Sequence, residues 1–537
     1  MQGKSKGSSR KRASTPAYIS PNQLVLPGFE TPFAQKLTKG NRWVRLAACI
    51  PWDQLVVYYD KLFTAVEGRP PINGRVILGA VIIKHLGDLS DRETIAQIQE
   101  NMFMQYFLGY GSFTNEEPFS DTLFVEIRKR LSLELLSKIN EVIALHCLEI
   151  QDAKRNGQQQ ATKPGQDTPS SAESNDRHEK IEEVPSDNVG NIEEQKQASA
   201  DDKPNKGKLL VDATVAPQNI TFPTDLKLLG AARKKSEELI DILYNPILHG
   251  DTKVRTYRKI AGKCFLDAAK KKHKSARAIY KANGQQLRFL KRNLAHIDNL
   301  LCAYEKFPLK AKEQKYLMVL HTVYDQQEEM HRTHTHRIDH RIVNIHQPHV
   351  RPIVRGKERT KTEFGSKIHM SLVSGCTFID HLSWEAYNEG SLLIDSIEQY
   401  KARFGFYPAE VLADQIYCTR ENRKQLKLFD IRLAAKPLGR PSASAVKNHV
   451  RPGECNPIEG KFGQGKIAYG LNLVRAKLAD TSTSWIAAIA LVLNLVKLTR
   501  VAPLSLINIK SILKKVLWKI IYIELTYNIR KRASLSL

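Results

Sequence analysis

The sequence predicts a multidomain chain in which an all-α N-terminal part precedes an α/β part that carries a helical insertion. Three observations predict it. Apolar residues recur at helical spacing over residues 41–155. An acidic stretch without large apolar side chains follows over 156–206. Beyond it, β-branched runs alternate with helical ones. With 537 residues the chain has room for about three folded units.

Charge and composition narrow the function classes. Lys plus Arg is 82 and Asp plus Glu is 56, a formal net charge of +26. Such a balance calls for a polyanionic partner, nucleic acid first and a membrane surface second. The 42% hydrophobic content excludes a wholly disordered chain, and the negative mean hydropathy argues against a polytopic membrane protein. Seven cysteines stand singly with no CxxC pair, which fits reduced thiols rather than a disulfide scaffold or a structural zinc site. The first residues carry Lys4, Lys6, Arg10, Lys11 and Arg12 among Gly and Ser without an apolar core, so residues 1–40 read as a flexible basic arm.

Within 41–155, Ile72 to Leu86 is one apolar-periodic run, broken by Gly87-Asp88. Ser90 and Glu93 have the spacing of a capping box and open a helix expected to run through Ile95, Ile98 and Met102. Ser120-Asp121 is expected to cap another helix that ends in Arg128, Lys129 and Arg130. Short helices with tight turns suit a helix-turn-helix type of DNA-binding domain, and equally an ordinary bundle. Residues 156–206 contain no Leu, Met, Phe, Tyr or Trp and read as an acidic linker that cannot offset its ordering entropy.

Lys208–Val215 is β-branched and reads as a strand. A basic helical insertion over 226–344 follows. Its segment 251–300 holds 14 Lys/Arg and 3 acidic residues, and Leu287, Leu290, Leu294, Ile297 and Leu301 alternate by three and four. Two antiparallel helices joined near Pro308 are expected. From 345 to 500 the pattern is α/β: strands at 367–373 and 377–384 about a Ser374-Gly375 turn, a helix at 390–404, a strand at 410–417, a helix at 420–429, a strand at 431–435 and a helix at 457–478. With the strand at 207–225 this is the element order of an RNase H-like fold. Trp485–Leu498 is an apolar run too short to cross a bilayer and reads as a core helix. Residues 501–537 form a basic amphipathic helix striped by Lys510, Lys514, Lys515 and Lys519. It reads as a surface helix or an extra DNA contact, with no membrane engaged.

Three carboxylates stand out. Asp212 interrupts an apolar strand, where a lone buried charge is costly unless paired or metal-bound, although an edge-strand Asp facing water fits equally. Asp414 ends the apolar strand run Val411-Leu412-Ala413-Asp414, where ligands collect in α/β sheets, but it can also simply lead into the next helix. Glu459 follows Asn456-Pro457, so it fits a capping glutamate. Against that, Lys466 lies near the same helical face, and Gly460, Gly463, Gly465 and Gly470 thin the helix at about 1 kcal/mol each. Such glycines predict that something approaches the backbone. In the deduced order the three carboxylates converge. Three of them can hold two Mg²⁺ or Mn²⁺ ions about 4 Å apart, the arrangement for in-line attack at phosphorus.

At these residues the chain resembles the bacterial insertion-sequence DDE transposases of the "IS-five" group. The resemblance is carried by GRPPINGRVILGAVIIKHLGDLSDRETIAQIQEN (68–101), LLVDATVAPQNITFPTDLKLL (209–229), HVRPIVRGK (349–357), LADQIYCTRENR (412–423), PLGRP (437–441) and IEGKFGQGKIAYGL (458–471). It implies Asp212, Asp414 and Glu459 as catalytic and metal-binding residues for DNA cleavage and strand transfer. It implies an N-terminal domain that binds terminal inverted repeats, dimerisation on double-stranded DNA ends, and a nucleoid-associated place in a bacterial cytoplasm. Arg355, Lys357, Arg420, Arg423, Lys461, Lys466, Lys271 and Lys272 are the expected DNA contacts. Two positions depart from the pattern: Cys418 and Cys455 stand where the group usually has arginine. A transposase-derived repressor with a weakened site is the alternative. The histidines at 331, 334, 336, 340, 346 and 349 match no zinc-finger spacing and read as flanks of a basic DNA-facing strand.

Overall fold

The computed structural model describes residues 15–23, 30–63, 71–161, 204–354, 362–434 and 456–501. Six strands form one mixed sheet: β1 (Lys208–Pro217), β2 (Arg351–Val354), β3 (Thr362–Val373), β4 (Cys376–Ser383), β5 (Glu410–Ala413) and β6 (Arg432–Ala434). The order is β4–β3–β1–β5–β6, and the short β2 extends the outer edge of β3 beside β4. β3 runs antiparallel to β1, whereas β5 lies parallel to β1 and β6 parallel to β5. The β3–β4 turn is the expected two-residue one. Ser374 and Gly375 both take positive φ, the conformation that matches the twist of a tight hairpin.

Several boundaries differ from those the sequence predicts. The 410–417 strand stops at Ala413, and Gln415–Tyr417 turns as a 3₁₀ helix. The 457–478 helix runs over Asn456–Ala468 and stops before Gly470, whose φ of +75° lies in the left-handed region. A Cβ there would also meet the Asp88 carboxylate at 2.6 Å. The Ser90 cap forms, its Oγ accepting from Glu93 N at 3.1 Å, but that helix ends at Glu100. Asn101 then caps a separate helix, Met102–Leu108, by accepting from Phe103 N and Met104 N. Ser120-Asp121 does not cap. Thr122 holds the N-cap position of Leu123–Arg130, with no side-chain cap bond. The helix Leu133–Ala161 continues six residues into the stretch read as linker.

The larger correction concerns independence. One core of buried residues runs from Phe33 through the N-terminal helices to the sheet and on to Leu498. Leu133–Ala161 and Ala479–Val501 pack on each other and on β4. At their junction Asn494 accepts from Thr377 N at 2.8 Å and donates to Thr377 O at 2.8 Å and Asn140 Oδ1 at 2.9 Å, while Asn140 also donates to Thr377 O. Lys84 and Arg128 both pair with Asp91 and lie over the Trp485 ring. The N-terminal helices are therefore joined to the α/β part rather than tethered beside it. The arm expected over 1–40 is also partly docked. Tyr18, Ser20 and Asn22 all donate to the Asp53 carboxylate at 2.6–2.9 Å.

The insertion has its own core, built by Asp225–Leu243, Ala276–Cys302 and Ala311–Thr333. The last two are antiparallel as expected, since Lys291 faces Glu328 and Asp298 faces His321. The helix Ala479–Arg500 is, at 22 residues, long and apolar enough to cross a membrane, longer than the run read from sequence. Its burial between the N-terminal helices and β4 makes it the core helix expected. Residues 502–537, with Lys510, Lys514, Lys515 and Lys519, fall outside the described residues.

Candidate active site

Strand pairing places the first two carboxylates. On β1, Leu209, Val211 and Ala213 are buried and Asp212 is half-buried. The parallel register pairs Leu209 with Val411, Leu210 with Leu412 and Val211 with Ala413. One further step sets Asp414 beside Asp212. Asp414 keeps an extended backbone (φ −65°, ψ 165°), so the strand direction is held for that residue before the 3₁₀ turn begins. Aligned residues of parallel strands share a face of the sheet.

Asp212 accepts a hydrogen bond from Ala213 N at 2.7 Å, which favours its charged form. Burial outweighs that bond, and the charges of Asp414, Glu389 and Glu459 add to it, raising the Asp212 pKa to about 7. Glu459 is exposed near the start of Asn456–Ala468, a helix packed on β1. The glycine face beside it is open, because a Cβ at Gly460 or Gly463 would meet nothing within 4 Å. Nothing among the described residues supplies the approach that those glycines predict. Gly465 alone is crowded within the helix, by Leu471.

Glu389 is a fourth carboxylate that sequence reasoning missed. It opens the 3₁₀ turn Glu389–Leu392 and is paired with Lys367 at 2.7 Å. Lys367 also donates to Tyr387 O at 2.9 Å and lies over the Tyr387 ring. The turn is pinned to the Asp414 side of the site. Asn422 Nδ2 donates to Gly390 O at 2.7 Å and to Tyr417 O at 2.8 Å, and a Cβ on Gly390 would meet Ile416 O at 2.6 Å. No spacing signal marks Glu389, since an acid in the first turn of a helix is ordinary. Beneath the carboxylates lies Tyr417. Burial, then the nearby acids, pushes its phenol up, so it stays protonated and donates to His369 Nδ1 at 3.1 Å. Burial holds His369 neutral, leaving Nε2–H for Ser396 Oγ at 2.9 Å.

The donor set is all oxygen, which suits Mg²⁺ or Mn²⁺. Repulsion around Asp212 is what a cation there relieves. Among the described residues, however, no three His, Cys, Asp or Glu side chains stand close enough to share one ion. The carboxylates are near enough to act on one another's charge and are not drawn together to ligating distance.

The expected DNA contacts divide. Lys271 and Lys272 are exposed in the insertion, between Arg258–Lys270 and Ala276–Cys302. Arg420 is exposed at the first turn of Arg420–Leu428. Arg423 is half-buried against Cys418, whose thiol is pushed up by burial and which lies 3.4 Å from Asp414 O. Lys466 is half-buried on the Glu459 helix. Lys461 does not face the carboxylates. Its electrostatic neighbours are Lys497, Arg500, Cys376 and Cys147, and burial lowers its pKa. Two residues after Glu459, it lies on the other side of the helix. Arg355, Lys357 and Cys455 fall outside the described residues. The histidines scatter: His331 and His334 stack on Tyr280, His340 meets Glu385, and His349 packs on Trp384.

A pH dependence follows from Asp212. With its folded pKa above the ordinary value near 4, the folded chain holds a proton that the unfolded chain has lost. That contribution is full below the ordinary value and disappears as pH rises through about 7. Without divalent metal, Asp212→Asn is expected to melt with the wild type near pH 4 and above it near pH 8, roughly, by the same linkage. Parallel melting curves across that window contradict the assignment.

Comparison with known proteins places these parts in a class. Residues 411–496, which contain Asp414 and Glu459, match the family described as "Transposase DDE domain". Residues 31–130, the N-terminal helices, match the family described as "Transposase domain". The two matches together support an insertion-sequence DDE transposase, the DDE part resting on residues 411–496. A curated relative from Rhizobium meliloti, "Uncharacterized protein ORF8 in nfe locus", is 33% identical over 96 residues, 18% of this chain and 46% of the relative. The chain thus spans about half the length of that relative. No solved structure matches.

Proposed function

We propose that the protein is the transposase of an insertion sequence, of the "IS-five" group by its motifs. It binds the terminal inverted repeats and carries out metal-dependent strand cleavage and strand transfer on double-stranded DNA. The observation that carries this reading is that Asp212 and Asp414 each directly follow the last paired residues of parallel β1 and β5, with Asp414, Glu389 and Glu459 near enough to raise the Asp212 pKa. The sheet order supports it. Counting β1, β3, β4, β5 and β6 as the five main strands gives 3-2-1-4-5 with the second strand antiparallel, the RNase H-like arrangement.

In this reading Asp212, Asp414 and Glu459 would hold Mg²⁺ or Mn²⁺, which supplies Lewis-acid activation of the attacking and leaving oxygens. The chain's own residues do the rest. Lys367 pairs with Glu389 and holds it in place, and the Asn422 clamp holds the Glu389 turn against the turn after Asp414. The open glycine face beside Glu459 lets a DNA backbone come close. Arg423 sits against Cys418, so a cation is present where that cysteine departs from the group pattern, and this favours an active enzyme over a weakened repressor. DNA is engaged by the N-terminal helices and the basic insertion, two ends being synapsed by a dimer.

Purified protein with a plasmid carrying the gene and its flanks is expected to cut at the element ends in Mg²⁺ and not in EDTA; metal-independent or random cutting overturns the reading. The insertion is tested separately. Replacing Lys270, Lys271, Lys272 and Lys274 with Gln is expected to lower the log–log salt slope of binding by about 0.9 for each phosphate no longer neutralised, alike for all sequences. An unchanged slope means the run is a solvated face.

A further inference from the structure

A cavity of about 520 Å³ lies between the N-terminal helices and the C-terminal end of Ala479–Val501, within the size range of small-ligand sites. Its floor is apolar and aromatic: Trp43, Leu46 and Tyr469 line it and are themselves buried. Its rim is cationic, with Arg42, Arg45 and Arg500 among the lining residues and no Asp or Glu. Arg42 and Arg45 lie one turn apart on Arg42–Cys49, and Arg45 reaches across to donate to Thr499 O at 3.0 Å. Several other arginines of the chain do meet acids. Arg128, Arg233, Arg258, Arg341 and Arg403 are each paired with a carboxylate, whereas none of the three rim arginines has such a partner among the described residues. Lys461 is within electrostatic reach of Arg500 and Lys497, which adds to the positive potential of this region. Guanidinium groups without a carboxylate partner among the described residues, set around an apolar pocket, call for an anion that carries a flat, weakly polar body. A phosphate takes the forked donors and an aromatic base takes the floor.

The geometry points to this cavity as a binding site for one nucleotide of a DNA strand, its phosphate on Arg42, Arg45 and Arg500 and its base on the Trp43–Tyr469 floor. The inference rests on the DNA-binding reading above and adds a contact at the seam between the N-terminal helices and the α/β part. It is separate from the carboxylates, because it lies at the Tyr469 end of the chain segment that begins with Asn456 and Glu459.

The test uses the full chain and a short fluorescent oligonucleotide of mixed sequence carrying 5-iododeoxyuridine. Crosslinked peptides are expected to include Trp43 or Tyr469. Arg42 and Arg500 are exposed, so Arg42→Glu and Arg500→Glu should leave the melting temperature unchanged. Each is expected to weaken strand binding by about tenfold and to remove that crosslink while sparing those in the insertion. Crosslinks in the insertion with none at the cavity overturn this inference and leave the DNA-binding reading standing. No binding or crosslinking anywhere overturns both. Loss of the cavity crosslink on adding free dAMP assigns the pocket to a free nucleotide instead. Its appearance only in a chain ended at Val501 assigns the pocket to the protein's own C-terminal residues. Either result overturns the proposed strand contact.

Discussion

Asp212→Asn, Asp414→Asn and Glu459→Gln are each expected to lower end cleavage by about a thousandfold or more, equivalent to about 4 kcal/mol of transition-state stabilisation, while DNA binding persists. Each change removes one negative charge and keeps shape. Asp212 lies within β1 and Asp414 directly follows β5, so their asparagine variants alter the charge of the site without moving its frame. Binding rests on other parts of the chain, the exposed lysines of the insertion among them. A gel shift and a cleavage assay on the same protein separate the two. Glu389→Gln has a smaller expected effect. Its carboxylate is shared with Lys367, and its removal frees that lysine beside the three others. Wild-type cleavage by Glu459→Gln removes that residue from the assignment.

The largest expected loss of stability is at Asn494. Its side chain accepts from Thr377 N and Thr377 Oγ1 and donates to Thr377 O and Asn140 Oδ1, all of them buried. Asn494→Leu keeps the volume and leaves a β4 backbone amide and the Asn140 carbonyl without partners. At about 1–3 kcal/mol for each orphaned group, the cost is about 3–5 kcal/mol, or roughly 5 °C in melting temperature for a chain of this length. Because the network joins Leu133–Ala161, β4 and Ala479–Val501, the N-terminal helices and the sheet should loosen together. The double variant Asn140→Leu/Asn494→Leu is expected to lose less than the sum, since it removes both members of the amide pair. Two separate transitions in the wild type would contradict the shared core.

Much of the α/β part was legible because its signals are local. The β-branched run at Lys208–Val215, the two-residue turn at Ser374-Gly375 and the Ser90 cap each state a structure within a few residues, and all three formed. Asp212 stands out as an interruption of an apolar strand and Asp414 as the end of one, and the structure sets both at the sheet. The features that escaped sequence reading needed tertiary context. The acidic stretch after 156 reads as a linker, and nothing local marks the bonds among Asn140, Thr377 and Asn494 that join the parts on either side of it across 237 and 354 positions of sequence. Glu389 enters the site because Gly390 packs on Ile416 O, a contact between distant turns. Lys461 is near Glu459 in sequence but not on the same face of the helix, which spacing alone does not tell. Two residues amount to about 200° of rotation.

The measurement that bears most directly on the account is strand joining. Duplex DNA ending in the element's terminal repeat with a free 3′-hydroxyl, labelled on that strand, is incubated with purified protein, a supercoiled plasmid and Mg²⁺. The account predicts labelled plasmid, joined through the 3′-oxygen, with wild type and none with Asp212→Asn. Plasmid that is nicked but never labelled, or labelled equally by Asp212→Asn, would contradict it.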